Sequence, residues 1–179
     1  MNWKKCLMVL ATMALFSAPT WAGSFGVYGA YWGAEDAANS LGAGARVGFN
    51  FAPWVELEFH GTYYPDFHRR GDVFTPGTDI RAIPVDGGLK FNFLSDKPVN
   101  PYAGAGFTYF FLNSDEGNLD NDTGWYAELG VDIGEDNTRF FAEVLWRQLD
   151  APISFGVFDD DIDFGGLDWH AGVVFRWGK

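Results

Sequence analysis

Ionisable side chains recur at every second position within stretches of this sequence that are otherwise apolar. Glu56, Glu58 and His60 follow this spacing, and Asp168 and His170 repeat it near the end of the chain. Residues two apart in an extended strand point to the same side, so each series brings its carboxylates and imidazole together. Such groups could do acid–base chemistry, bind a cation, or pair with basic side chains on neighbouring strands.

Nucleophilic catalysis would need a serine with a base within hydrogen-bond reach. None of the serines after residue 22 stands beside a histidine in the sequence; they are Ser24, Ser40, Ser95, Ser114 and Ser154. The pattern therefore favours a protein that is not an enzyme.

The three histidines, His60, His68 and His170, lie far apart and show no spacing typical of metal ligands. The segment from Asn118 to Gly124 resembles a calcium loop only loosely, because Leu129 stands where a bidentate glutamate is needed. We expect no metal site and no cofactor.

The elements that position these side chains are strands, because apolar and polar residues alternate in eight stretches. The last is the clearest: from Leu167 to Trp177 every second residue is apolar. Each stretch is as long as the roughly 9–11 residues that a tilted membrane strand needs, or longer. The predicted strands are 24–33, 41–51, 54–64, 79–93, 101–112, 123–134, 138–149 and 166–177.

The connections between these strands alternate in length. Short turns are predicted at 52–53, 94–100 and 135–137, whereas longer polar loops are predicted at 34–40, 65–78, 113–122 and 150–165. Short turns on one side and long loops on the other are typical of outer-membrane barrels. Both termini then lie on the short-turn, periplasmic side, and the long loops face outward.

The two faces of the predicted strands differ in charge. One face is apolar and uncharged, as a lipid-facing surface must be. The other is rich in ionisable groups, with five basic and seven acidic side chains and two histidines, and we predict that they form a charge network in the lumen. These residues are Arg46, Glu56, Glu58, His60, Asp86, Lys90, Glu128, Asp132, Arg139, Glu143, Arg147, Asp168, His170 and Arg176.

Two interpretations of that network remain open. Eight strands enclose an interior just wide enough for side chains to fill, and unpaired buried charge is costly, so a paired polar core would plug the lumen. A narrow path that prefers cations is the alternative, because the acids outnumber the bases.

Alternation alone also fits a soluble β-sandwich, whose apolar face would be buried. Aromatic residues favour the barrel, because they cluster near both ends of the predicted strands, as rings at the two membrane interfaces do. Phe93 and Trp177 lie at the periplasmic ends, and Trp125, Trp146 and Trp169 lie at the opposite ends.

Residues 1–22 have the organisation of a cleaved secretion signal. Lys4 and Lys5 precede an apolar core at 6–16, and small residues precede a cleavage site before Gly23. The mature barrel domain would be 23–179.

Removing the signal takes away the single cysteine, Cys6, and changes the formal charge from −12 to −14, because two of the 12 basic residues leave and all 24 acidic ones stay. Such negative charge argues against a nucleic-acid partner.

These features resemble the small eight-stranded outer-membrane barrels of the OmpA-like and OmpX-like family. The resemblance covers the whole mature chain and rests on the strand and loop pattern, the strand opening Asn100-Pro101-Tyr102-Ala103-Gly104-Ala105-Gly106, and the alternating last strand. It implies an all-β, eight-stranded antiparallel transmembrane up-and-down β-barrel in a Gram-negative outer membrane. Its partners would be outer-membrane lipids, lipopolysaccharide, periplasmic chaperones and the barrel-assembly machinery, and the protein would be a monomer.

The expected function is non-catalytic: envelope structure, with surface interaction through the long outer loops. A narrow cation-preferring channel is the first alternative and a lipid A-modifying barrel enzyme the second, although the His-x-Ser element of the lipid A deacylase barrels is absent. Basic loop residues could meet lipid phosphates or a host surface, and acidic ones could bridge divalent ions to lipopolysaccharide. The predicted outer-loop surface comprises Arg69, Arg70, Asp120, Asp122, Asp159, Asp160 and Asp161.

Overall fold

The computed structural model describes residues 22–34, 39–68, 79–114, 122–148, 150–155, 158–163 and 165–178. These residues form ten β-strands. They are β1 (Gly23–Ala34), β2 (Ser40–Ala52), β3 (Val55–His68), β4 (Asp79–Asn92), β5 (Val99–Ser114), β6 (Asp122–Ile133), β7 (Thr138–Gln148), β8 (Asp150–Phe155), β9 (Phe158–Asp163) and β10 (Gly166–Trp177). No helix among the described residues is long and apolar enough to cross a membrane.

Eight of the strands close into an antiparallel barrel in the order β1-β10-β7-β6-β5-β4-β3-β2. The first strand pairs with the last, with Gly23 opposite Trp177 and Ala34 opposite Gly166. Closure leaves no edge of the barrel sheet free to pair with another chain. The predicted fold class is therefore confirmed.

The observed strand bounds follow the predicted ones closely except in β3, which runs on to His68 where a loop was predicted from Pro65. The pairing of β3 with β4 shifts register between Tyr64 and Phe67 and then continues, with Phe67 opposite Ile80. Proline cannot donate to a strand ladder and is tolerated at such irregularities. The irregularity breaks the alternation, and that is why the sequence pattern ends too early.

The predicted loop at 150–165 contains a β-hairpin. Strands β8 and β9 pair with each other, from Asp150 opposite Asp163 to Phe155 opposite Phe158, and form a two-stranded sheet separate from the barrel. Aspartate is depleted in strands, so the run Asp159–Asp161 does not predict a strand at β9.

Large apolar side chains cover the outside of the barrel wall. Phe107, Leu129 and Phe140 are 77%, 63% and 68% exposed. Aromatic pairs lie near the strand ends: the Trp125 and Trp146 rings meet edge to face at 5.1 Å on the long-loop side. An apolar surface of this extent is stable in lipid and would aggregate in water.

Candidate functional site

The barrel interior is the candidate site, because it collects the ionisable side chains that alternate along the strands. Thirteen of the fourteen residues predicted for the lumen are buried, with no more than 3% of their surface exposed. The fourteenth, Arg176, is near the periplasmic end, and its side chain is 12% exposed.

Arg46 on β2 is the centre of one group of contacts. Its Nη1 atom lies 2.9 Å from Glu143 Oε2 on β7, and its Nη2 atom lies 3.3 Å from Asp132 Oδ1 on β6. The guanidinium carbon also lies 3.5 Å from the centre of the Phe141 ring, within the range of a cation–π contact. Arg176 pairs with the other oxygen of Asp132.

Arg147 on β7 is the centre of a second group. Its guanidinium binds Asp86 on β4 through two parallel contacts, Nη1 to Oδ1 at 2.5 Å and Nη2 to Oδ2 at 2.8 Å. Its Nε atom donates to Asp168 Oδ2 at 3.2 Å, and the Tyr64 hydroxyl donates to Asp168 Oδ1 at 2.6 Å. Bidentate arginine–carboxylate pairs are the strongest of such contacts.

A third group joins strands on one side of the barrel instead of crossing the interior. Lys90 on β4 pairs with Glu58 on β3, and its Nζ atom lies 3.0 Å from Glu56 Oε2. Ser24 donates its hydroxyl to Glu56. This buried serine therefore serves a carboxylate and not a histidine base.

The two histidines of the interior meet although they are far apart in sequence. Their ring centres are 6.1 Å apart, and the Tyr28 ring stacks on His170 at 4.4 Å. His60 Nε2 lies 2.5 Å from Glu58 Oε1, and His170 Nδ1 lies 2.9 Å from Glu143 Oε1. His68 ends β3, and its side chain lies outside what the structure describes.

Sequence reasoning missed the aromatic part of the interior. Tyr28, Trp32, Tyr64, Tyr102, Phe110, Tyr126 and Phe141 are buried among the charged groups. The Tyr102 hydroxyl donates to Glu143 Oε2 at 2.6 Å, and Tyr28 and Thr62 share a hydrogen bond of 2.8 Å. Strand parity was the available signal, since Tyr126 lies two residues before Glu128 and must share its face.

Glycines on the same inner face make room for these rings. A Cβ atom at Gly44 would lie 2.5 Å from the Tyr28 ring, and one at Gly130 would lie 2.4 Å from the Tyr102 ring. A closed barrel of eight strands has a narrow interior, so large inward residues need small ones opposite.

The residues predicted for the outer-loop surface are not brought into a described site. Arg69, Arg70 and Asp120 lie outside the described residues. Asp122 begins β6 and Asp159, Asp160 and Asp161 lie on β9, where only the backbone is described. Their interaction with lipid phosphates, divalent ions or a host surface stays a prediction.

Comparison with known proteins places this chain in a family. A family model described as an outer membrane protein beta-barrel domain matches residues 8–176. No curated protein is significantly similar to the chain.

Three solved structures illustrate the likeness in fold. OprG from Pseudomonas aeruginosa is 14% identical with a TM-score of 0.74, covering 89% of this chain and 97% of that chain. Neisserial surface protein A is 14% identical with a TM-score of 0.63, covering 90% and 98%. The N-terminal β-barrel domain of Pseudomonas aeruginosa OprF is 17% identical with a TM-score of 0.52, covering 87% and 97%.

Proposed function

The chain belongs to the outer membrane protein β-barrel domain family, and from this premise we propose that it is a sealed, non-catalytic barrel. In the bacterial outer membrane its role would be envelope structure, with surface interaction through the outer loops. The observation that carries the proposal is that ion pairs cross the lumen between strands far apart around the wall.

The crossing can be followed from the strand order. Strands β2 and β6 are diametrically opposite in the closed barrel, and Arg46 on β2 reaches Asp132 on β6 at 3.3 Å. Strands β7 and β4 are three positions apart, and Arg147 binds Asp86 between them at 2.5 Å. An ion moving along the axis would have to displace both arginines.

The energy of that displacement supports a closed lumen. Breaking a buried ion pair costs about 3–5 kcal/mol, because it leaves an uncompensated charge. Since about 1.4 kcal/mol is a factor of ten in population, one broken pair would be present in roughly one barrel in a hundred to one in several thousand. Two arginines that must move together make the open state rarer still.

The non-catalytic part of the proposal is supported by the contacts of the interior. A lipid A-modifying mechanism would need a nucleophile beside a base, whereas the buried Ser24 hydroxyl is held by Glu56. Several charged groups of the interior are paired with one another, as Arg147 and Asp86 are.

The surrounding partners follow from the membrane location. We propose that the barrel sits as a monomer among outer-membrane lipids and lipopolysaccharide, after delivery by periplasmic chaperones to the barrel-assembly machinery. The signal at 1–22 would direct export and leave 23–179 as the mature domain.

Conductance in planar lipid bilayers tests the proposal. The wild-type barrel should give no resolvable current steps, whereas a variant with alanine at Arg46, Asp132, Arg147 and Asp86, which keeps the net charge, should conduct because it empties both crossing layers. Cation-selective steps from the wild type would refute the sealed barrel and favour the channel alternative. Heat-dependent gel mobility would show that both proteins are folded.

A further inference from the structure

A cluster of potential metal ligands lies buried in the middle of the barrel. It is formed by His60 on β3, Glu143 on β7 and His170 on β10, each no more than 3% exposed. One ligand atom from each of these side chains lies within 4.8 Å of the others, and Glu58, His60 and Glu128 satisfy the same limit. Two imidazoles thus face several carboxylates in one small volume.

Three polar atoms of this cluster make no hydrogen bond to the described residues. Glu128 Oε2, His60 Nδ1 and His170 Nε2 are buried without a hydrogen-bond partner, although Asp168 Oδ2 lies near His170 Nε2. Buried polar atoms are almost always paired, and an unpaired carboxylate oxygen is especially costly. A cation bound by the His60 ring within this cluster would give a partner to a ring nitrogen that has none.

The charge of the interior points the same way. Among the residues predicted for the lumen, seven carboxylates face five basic side chains, so two more positive charges are needed for balance, and either protons on the histidines or one divalent cation can supply them. Uncompensated charge is not stable in a low-dielectric interior. One divalent cation would balance the count while leaving the imidazoles free to bind it.

The donor set decides which cation fits. Calcium and magnesium prefer oxygen ligands alone, whereas two imidazoles with a carboxylate suit zinc and the neighbouring first-row metals. We propose that the barrel interior binds one divalent transition-metal ion, of the zinc type, through His60, His170 and Glu143, with Glu58 and Glu128 beside it. Asp168 Oδ2 lies 3.0 Å from His170 Nε2, where it would orient the ring as a supporting carboxylate does in zinc sites.

The site requires little rearrangement. Ligand atoms around a tetrahedral zinc lie about 3.3 Å apart, given bonds of about 2.0–2.1 Å. The Nδ1 atom of His170 is 2.9 Å from Glu143 Oε1, so on binding the proton between them is released and the two atoms part slightly, and the ligand atom of His60 already lies within 4.8 Å of theirs. Because the site is enclosed by paired side chains, we expect the ion to be acquired while the barrel folds.

Refolding with metal tests the proposal. The complete mature chain is unfolded in denaturant with a chelator, freed of metal, and refolded in detergent with Zn²⁺ or Co²⁺. After gel filtration, elemental analysis should find about one ion per folded barrel, and the Co²⁺ form should show visible absorption typical of nitrogen ligation. His170→Gln and His60→Gln should weaken binding at least about tenfold.

Two controls separate this site from others on the chain. His68→Gln removes the third histidine, and Asn substitutions at Asp159, Asp160 and Asp161 remove loop acids that could hold a cation; neither change should alter stoichiometry or spectrum. Should the glutamine variants fail to fold, the imidazole ¹⁵N resonances of wild type refolded with and without Zn²⁺ decide, because those of His60 and His170 must differ between the two samples and that of His68 must not. The proposal would be overturned by a wild-type barrel that holds no metal after refolding with Zn²⁺ or Co²⁺. It would also be overturned by His170→Gln and His60→Gln variants that bind the metal as tightly as the wild type does.

Discussion

Removal of the Arg147 side chain should be among the most damaging single changes in the interior. Arg147 is fully buried and supplies partners to both oxygens of Asp86, at 2.5 and 2.8 Å, and to Asp168 at 3.2 Å. Asp168 keeps the Tyr64 hydroxyl at 2.6 Å. Among the described ionisable groups Asp86 keeps only His60 Nδ1, which is 3.9 Å away and too far for a hydrogen bond.

The magnitude follows from what is left unpaired. Removing one partner of a buried ion pair costs about 3–5 kcal/mol. The loss of stability for Arg147→Met should lie at the upper end of that range, since Asp86 loses both contacts. The loss for Arg46→Met should lie at the lower end, about 1–2 kcal/mol smaller than that for Arg147→Met, because Glu143 keeps its contact with Tyr102 and Asp132 keeps its contact with Arg176.

The assay is denaturant unfolding in lipid vesicles, with the folded fraction measured by gel mobility without boiling. Arg147→Lys keeps the charge and loses the bidentate geometry, so it should fall between wild type and Arg147→Met. The double variant Arg147→Met with Asp86→Asn should recover much of the stability, since no uncompensated charge remains at the pair. A loss below about 1 kcal/mol for Arg147→Met, or a double variant no better than the single, would refute the reasoning.

Three further outcomes follow from the wall and its loops. Gly44→Ala should destabilise by about 1–3 kcal/mol, because its Cβ would lie 2.5 Å from the Tyr28 ring, whereas Gly29→Ala, with open space around it, should be neutral in the same unfolding assay. Replacing residues 150–163 by a short Gly-Ser turn should leave heat-dependent gel mobility unchanged, because that hairpin is a separate sheet; loss of the folded band would contradict this. Leu129→Arg, on the lipid face at a position 63% exposed, should cost about 2–4 kcal/mol in vesicles, and a neutral result would mean that this position does not meet the bilayer core.

The strands were predictable because alternation is a local property of the chain. From Leu167 to Trp177 each residue's neighbours two positions away reveal its face, and β10 begins and ends within a residue of its prediction. The errors lie where local chemistry hides the strand. Pro65 falls at a register shift in β3, and the acids of β9 have low strand propensity.

The inward direction of the charged residues also followed from the sequence, since period two assigns each side chain to a face. The same rule would have placed Tyr28 and Tyr102 inside. An aromatic residue by itself does not indicate the inner face, because aromatic residues are common on both faces of this barrel. Their importance becomes clear only with the glycines opposite them, such as Gly44 and Gly130.

The sequence by itself determined the eight barrel strands to within a few residues, their two faces and the membrane location, because each depends on residues that are close together in the chain. Only the tertiary structure decided which inward groups meet. Arg147 and Asp86 are 61 residues apart, and His60 and His170 lie on strands that have no direct pairing. Such contacts depend on the order and stagger of the strands in the closed barrel, which set the depth of each side chain in the lumen. A local sequence pattern does not contain this information.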